Sequence, residues 1–131
     1  MNLDIMKYTK FVLIIAVLLL QSAVFAQTAI NKSEKEQIEE TLLHYIEGTA
    51  NGQPERLQKA FHPDFNLYYI GQDSLRVWSG KEYINNLKKG EKSNRIGQII
   101  SIDFEDNVAM AKVEIVVPNW RIFTDYFLLL K

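Results

Sequence analysis

The spacing of hydrophobic residues changes along the chain from a helical repeat to a strand repeat. Ile38, Leu42 and Tyr45 recur with the 3.6-residue period of an α-helix. From Asp64 onward most apolar residues recur with a period of 2, the spacing of β-strands. Helices followed by antiparallel strands, all within one short chain, predict an α+β domain with a single core.

Two Ser-x-x-Glu capping boxes predict where helices begin. The first, Ser33–Glu36, opens a helix that we expect to end at Asn51-Gly52. A short second helix, Glu55–Phe61, follows it, because Pro54 suits a first helical turn and the residue before Pro63 is pushed out of the helical region. The second box, Ser79–Glu82, opens a third helix that is predicted to close at Gly90.

The remaining segments alternate as strands. A two-stranded ribbon is predicted around a turn at Gly71–Ser74, and three long strands follow at 98–104, 109–117 and 121–130 with unbroken alternation. The last strand is apolar on both faces, so both faces need cover. The helices can cover one face, and we expect a second copy of the chain to cover the other, which predicts a homodimer through the sheet face.

The N-terminal residues have the pattern of a secretory signal peptide. Lys7 and Lys10 precede an uninterrupted apolar run, Phe11–Leu20. Ten residues are too few for a membrane span, which needs about 20. Val24 and Ala26 supply the small side chains that signal peptidase requires, so we place cleavage between Ala26 and Gln27. Residues 1–26 are then a leader, residues 27–131 form one domain, and the mature protein is expected in the periplasm or outside the cell.

Composition excludes several function classes. The net charge of −1 provides no basic excess for nucleic acid or for an anionic membrane. The chain has no cysteine, which removes disulfides, thiolate metal sites and thiol catalysis. His44 is predicted on the solvent side of the first helix, and neither it nor His62 belongs to a cluster with metal-ligand spacing. No glycine-rich phosphate loop is present, so we expect no metal and no cofactor.

Three motifs in this order resemble the nuclear-transport-factor-2-like superfamily. They are His62-Pro63-Asp64-Phe65, Trp78-Ser79-Gly80, and Thr124-Asp125-Tyr126 followed by the run to Lys131. Within that superfamily the chain is most similar to small exported bacterial proteins known as lumazine-binding or SnoaL-like. The resemblance implies a curved antiparallel sheet wrapped around the first helix, a conical pocket, and commonly a dimer. Relatives continue past the equivalent of Lys131 with a turn and a final strand that lies inside the sheet, so we expect either that this domain is truncated at its C-terminal end or that its sheet is completed in another way.

Enzymes that share this cone-shaped fold, such as ketosteroid isomerases and polyketide cyclases, place an acid or histidine base in the pocket. Asp64, Asp125 and His62 are the candidates that the resemblance offers. His62 and Asp64 also suit a purely structural role, because polar residues end helices and begin strands. Asp125 alternates with apolar residues and needs a partner if it is buried, but Arg121 is about 13 Å away along an extended strand. No catalytic residue is assigned on this basis. An isomerase, cyclase or dehydratase using Asp64 or Asp125 stays open as an alternative.

Aromatic residues are the stronger signal for a binding site. Large rings with a polar tip suit a planar or apolar small molecule. We therefore expect an exported protein that binds a small ligand in a conical apolar and aromatic pocket, and a dimeric protein-interaction module is a further alternative. The predicted ligand-binding residues are Tyr45, Tyr69, Trp78, Trp120 and Tyr126.

Overall fold

The computed structural model of the protein describes residues 32–131. The predicted leader and its cleavage site lie outside these residues. Within these residues, three helices and five strands follow one another in the predicted order, and the α+β class is confirmed. The elements are α1 (Glu34–Asn51), α2 (Pro54–Ala60), β1 (Asn66–Gly71), β2 (Ser74–Ser79), α3 (Gly80–Asn85), β3 (Ile96–Glu105), β4 (Val108–Val117) and β5 (Arg121–Leu130).

Both capping boxes form as their sequences predict. The Ser33 hydroxyl accepts a hydrogen bond of 3.3 Å from the Glu36 amide, and the Glu36 carboxylate accepts one of 2.7 Å from the Ser33 amide. Ser79 and Glu82 repeat this exchange at the start of α3. Each box satisfies amide groups that the helix itself leaves free, so these two helix starts are determined locally.

The third helix is shorter than predicted, since it ends at Asn85 rather than at Gly90. The loop that follows α3 donates backbone hydrogen bonds to carbonyls at the end of α1. The Gly90 amide donates to the Gly52 carbonyl at 2.7 Å, and the Ser93 amide donates to the Ala50 carbonyl at 2.8 Å. Because these amides satisfy carbonyls at the C-terminal end of α1, residues 88–95 lie against that end of the helix instead of continuing α3.

The strands form two antiparallel sheets, a β1-β2 hairpin and a three-stranded sheet in the order β3-β4-β5. Unbroken alternation in β3 is wrong, because the pairing with β4 shifts between Ile99 and Ser101. The extra residue is a β-bulge, and it lets both Ile99 and Ile102 pack on the core while Ile100 is exposed. A bulge of this kind bends the strand and increases its twist.

The core lies between α1 and the inner face of the three-stranded sheet. Its largest fully buried side chains come from α1, α2 and β4, and each of them contributes about 1.5–3 kcal/mol through burial; they are Leu42, Leu57, Val113 and Ile115. A Cβ atom added to Gly97 of β3 would lie 2.3 Å from Cγ2 of Ile46, so α1 packs directly against the backbone of β3. The buried cluster consists of Leu42, Tyr45, Ile46, Leu57, Ala111, Val113 and Ile115.

The two faces of β5 differ in exposure but are both largely apolar. Phe123, Phe127 and Leu129 point inward and pack on the core. The outer face carries Ile122, Tyr126, Leu128 and Leu130, which are exposed by 61% or more in a single copy of the described chain. α1 therefore covers one face of this strand, and the opposite face presents an apolar surface.

His44 is not on the solvent side of α1, as the helical pattern predicted. The side chain is half-buried, because α2 folds back along α1 and brings Arg56 over it. Arg56 Nε donates to His44 Nδ1 at 3.2 Å, and the same guanidinium forms an ion pair with Glu47. These contacts join the two helices at their polar edges.

Within residues 32–131, no cluster of three or more histidine or acidic side chains has the geometry to hold a metal ion. The helices described over the same range are all too short or too polar to span a bilayer.

Candidate ligand-binding cavity

A cavity of about 380 Å³ lies between the first half of α1 and the inner face of the sheet. Its size is within the range of small-molecule sites, about 300–1,000 Å³. The helical wall is formed by Ile38, Leu42, Tyr45 and Phe61, and the strand wall by Phe104, Val108, Phe127 and Leu129. Both walls are built from carbon-rich side chains, so the interior is suited to an apolar ligand.

The polar side chains that line the cavity are mostly exposed and form its rim. Lys131 Nζ donates to Glu34 Oε1 at 3.0 Å across this rim, which joins the end of β5 to the first turn of α1. Asp106 and Asn107 belong to the turn between β3 and β4. The rim residues are Glu34, Gln37, His62, Asp106, Asn107 and Lys131.

Aromatic contacts fix the position of the inner wall. The ring of Tyr45 lies 5.7 Å from the ring of Phe61 and 5.1 Å from that of Phe127. Phe61 stacks on Phe65 at 4.0 Å. Such pairs contribute about 0.5–1.5 kcal/mol each beyond their burial, and they leave the rings little freedom. The wall is therefore formed before any ligand enters.

The hydroxyl of Tyr45 points toward the sheet. It donates a hydrogen bond of 2.6 Å to Asp125 Oδ2, which gives the half-buried carboxylate of β5 the partner that its position demanded. Burial raises the pKa of the Tyr45 hydroxyl far above its usual value, and the neighbouring Tyr83 and the charge of Asp125 raise it further. Tyr45 is thus a neutral donor to Asp125 at any physiological pH.

Tyr83 on α3 extends this polar group. Burial raises the pKa of its hydroxyl, while the interaction with Tyr45 and the positive charge of Arg95 act in the opposite direction. The Tyr83 ring lies 6.2 Å from that of Phe61, edge to face. Asp125 and Tyr83 are absent from the cavity lining, so the polar group stands behind the aromatic wall.

The structure separates the five aromatic residues that were predicted to bind a ligand. Tyr45 lines the cavity. Tyr69 and Trp78 contact each other on the β1-β2 hairpin with their rings 6.0 Å apart, and Trp78 also contacts Tyr83 at 6.1 Å. Trp120 is 65% exposed beside Arg121, whose guanidinium lies 4.7 Å from its ring. Tyr126 is 79% exposed on the outer face of β5. Of the five, the cavity geometry supports Tyr45.

Of the candidate acids and base, His62 and Asp64 lie side by side, with 4.0 Å between Nδ1 and Oδ2, and Asp125 lies apart from them. His62 is at the rim, and Asp64 faces solvent with a side chain that is 92% exposed. The Asp64 amide donates to His62 Nδ1 at 3.2 Å, a contact within the turn that connects α2 to β1. Asp125 is occupied by Tyr45 behind the wall. No one place in the cavity brings these three side chains together.

Apart from Tyr45 and His62, the residues that form the cavity were not identified from the sequence. Phe61 and Phe127 were placed correctly on inward faces but were not assigned to the site, and neither was Phe104 or Lys131. A local signal existed only for Phe61, which precedes the His62-Pro63 stop. Phe127 joins it because Tyr45 of α1 packs on the inner face of the sheet, and that packing cannot be derived from the period of either segment.

The α+β architecture, with a sheet folded against a long first helix and a cavity between them, defines the nuclear-transport-factor-2-like class. Residues 33–131 match the sequence profile of the family described as "Putative lumazine-binding", and the chain belongs to this family. No curated protein matches the sequence. The family suggests a small-molecule-binding domain.

Three solved structures share the fold. An NTF2-like protein of unknown function from Methylobacillus flagellatus KT has 28% identity and a TM-score of 0.64, with coverage of 78% of this chain and 85% of its own. One from Shewanella baltica OS155 has 23% identity and a TM-score of 0.63, with coverage of 77% and 86%. One from Silicibacter pomeroyi DSS-3 has 17% identity and a TM-score of 0.64, with coverage of 76% and 87%. The predicted superfamily is confirmed.

Proposed function

We propose that this protein binds a small, largely apolar molecule in the cavity between α1 and the sheet. The observation that carries the proposal is the cavity itself, about 380 Å³ with walls of aromatic and aliphatic side chains. Tyr45, at its inner end, is held by Asp125, Phe61 and Phe127, so the wall needs no rearrangement to receive a ligand. The family assignment agrees with a binding role of this general kind.

The cavity lining favours binding over catalysis. A general base must come within hydrogen-bond reach of the substrate proton. Asp64 and Asp125 both lie outside the lining, and the Asp125 carboxylate already accepts from Tyr45. An isomerase, cyclase or dehydratase based on either acid therefore has no support from the placement of these groups.

Export and dimerisation belong to the same proposal. The leader pattern of residues 1–26, with cleavage between Ala26 and Gln27, supports action in the periplasm or outside the cell. The outer face of the sheet supports a homodimer, since exposed apolar side chains on β4 and β5 form one surface. In its middle, Lys112 and Glu114 form an ion pair of 3.4 Å. A two-fold axis that passes between these two side chains would set Lys112 of one copy opposite Glu114 of the other.

The test of binding is a search for a resident ligand. The full chain is produced with its own leader, purified without detergent and weighed intact under native and denaturing conditions. We expect a bound small molecule that is released on denaturation and identified by mass spectrometry. Protein that carries no such molecule and also fails to bind an apolar fluorescent dye would contradict the proposed function.

A further inference from the structure

The interior of the cavity lacks the polar groups that a pteridine such as lumazine would require. Among its lining side chains, the hydroxyls that are not exposed belong to Thr41 and Tyr45. Thr41 Oγ1 donates to the Gln37 carbonyl at 3.0 Å, and Tyr45 donates to Asp125. Both hydroxyl protons are thus engaged, and no side-chain donor is left inside for a ring carbonyl or ring nitrogen.

A ligand binds weakly if its polar groups lose their hydrogen bonds to water and gain none in the protein. Each carbonyl or unprotonated ring nitrogen of a pteridine would leave water for the surroundings of Phe61, Phe127 and Leu42, where it would find no free side-chain donor. A hydrocarbon chain loses no hydrogen bonds on the same transfer, and each methylene that leaves water makes binding more favourable. The lining therefore discriminates in favour of an apolar chain over a polar ring.

The rim limits the charge of the ligand's polar end. Among the charged side chains of the lining it carries two carboxylates, Glu34 and Asp106, and a single ammonium, Lys131, which Glu34 already neutralises at 3.0 Å. At the start of α1, the capping box engages the amides of Ser33 and Glu36. An anionic head would meet an unfavourable field, while a neutral hydroxyl or carbonyl could accept or donate at the exposed side chains of Asn107 and His62.

We propose that the ligand is a neutral lipid-like molecule, with an apolar chain inside the cavity and an uncharged polar head at the rim of Glu34, Asp106 and Lys131. This inference rests on the proposed binding function and specifies its ligand class. The volume of about 380 Å³ has room for about a dozen groups of the size of a water molecule, each about 30 Å³, which suits a chain of that many carbons.

The experiment is a competition against the dye N-phenylnaphthylamine, followed by fluorescence on the purified full chain. Dodecanol, dodecanoate and lumazine are the competitors. We expect dodecanol to compete at least about tenfold better than lumazine and several-fold better than dodecanoate. In Glu34→Gln, which releases Lys131, dodecanoate should gain about threefold while dodecanol is unchanged. Glu39→Gln is the control, because Glu39 pairs with Lys35 on α1 and lies outside the cavity.

The outcomes separate the two claims. Lumazine that competes as well as dodecanol, in a manner that Ile38→Trp abolishes, would overturn the lipid-like class and leave the binding function standing. Dodecanoate that competes better than dodecanol in the unmodified chain would overturn the neutral head. A dye that does not bind, or binds equally well to Ile38→Trp, would overturn both the inference and the binding function.

Discussion

Tyr45 of α1 and Asp125 of β5 meet through a hydrogen bond of 2.6 Å, although 80 positions separate them in the sequence. The contact joins the first helix to the last strand behind the cavity wall. Because the tyrosine is 7% exposed and the carboxylate is half-buried, the bond is shielded from water and each group depends on the other.

Tyr45→Phe should destabilise the fold and leave apolar ligand binding intact. The variant keeps the ring that contacts Phe61 and Phe127 but removes the donor, so the Asp125 carboxylate loses its partner at a cost of about 1–3 kcal/mol. Urea unfolding measures the effect. Asp125→Asn is the matched control, because its amide oxygen can still accept from Tyr45, and it should cost less. Equal stability of Tyr45→Phe and the unmodified protein would show that the bond contributes nothing.

Alkaline pH should destabilise the protein through the same tyrosine. The raised pKa means that the folded hydroxyl keeps its proton where the unfolded one, with a pKa near 10, releases it. The unfolded state then binds fewer protons, so the free energy of unfolding falls above about pH 10, by about 1.4 kcal/mol per pH unit for this group. Below that pH both states are protonated and the contribution is constant. Urea titrations between pH 9 and 11 should show a shallower fall in Tyr45→Phe, and parallel profiles for the two proteins would refute the assignment.

Ile38→Trp should block the cavity. Ile38 lines the wall near the first turns of α1, and a larger ring there occupies the space that a ligand needs. Dye affinity is expected to drop at least about tenfold. Leu43→Trp places the same ring on the exposed side of the same helix, outside the lining, and should bind the dye normally. Similar loss in both variants would mean that the ring perturbs α1 rather than fills a site.

Tyr126→Lys should dissociate the proposed homodimer. The substitution puts a positive charge on the outer face of β5, and a two-fold interface would contain it twice. Analytical ultracentrifugation should report the mass of one chain. Tyr68→Lys makes the same change at another exposed strand position, on the β1-β2 hairpin, and should not alter the mass. A single-chain mass for the unmodified protein would contradict the dimer itself.

Ala26→Trp should prevent removal of the leader. Signal peptidase needs a small side chain before the cut, so the variant is expected to keep residues 1–26. Intact mass spectrometry of the exported and cell-associated fractions distinguishes the precursor from a product that begins at Gln27. Ala29→Trp, on the mature side, should be processed normally. A mature form beginning at another residue would move the cleavage site.

Local chemistry explains which parts of the fold the sequence predicts. Ser33 and Ser79 start their helices through contacts with residues three positions away, so both starts could be identified without the rest of the chain. The bulge between Ile99 and Ser101 could not, because it adjusts β3 to the helix that packs on it. His44 was misplaced for a similar reason, since its cover comes from Arg56 of another helix.

The apolar and aromatic nature of the candidate site was predictable from the sequence, but the residues that form it were not. Alternation placed Asp125 among apolar residues and correctly required a partner for it, yet the donor came from α1. Aromatic character alone selected Trp120 and Tyr126, which lie away from the cavity. The site forms where α1 packs against the sheet. The periodicity of each element does not encode which of their residues meet.

Residues 88–95 fix the C-terminal end of α1, and this limits where a ligand enters the cavity. With Gly90 bonded to Gly52 and Ser93 to Ala50, the C-terminal end of the helix is clamped. The cavity opens at the other end, where the bridge between Lys131 and Glu34 joins exposed side chains. We therefore expect a ligand to enter past that bridge and the Asp106-Asn107 turn, which both lie in the cavity lining. The cavity is therefore held by backbone hydrogen bonds at the C-terminal end of α1 and by an exposed ion pair at its opening.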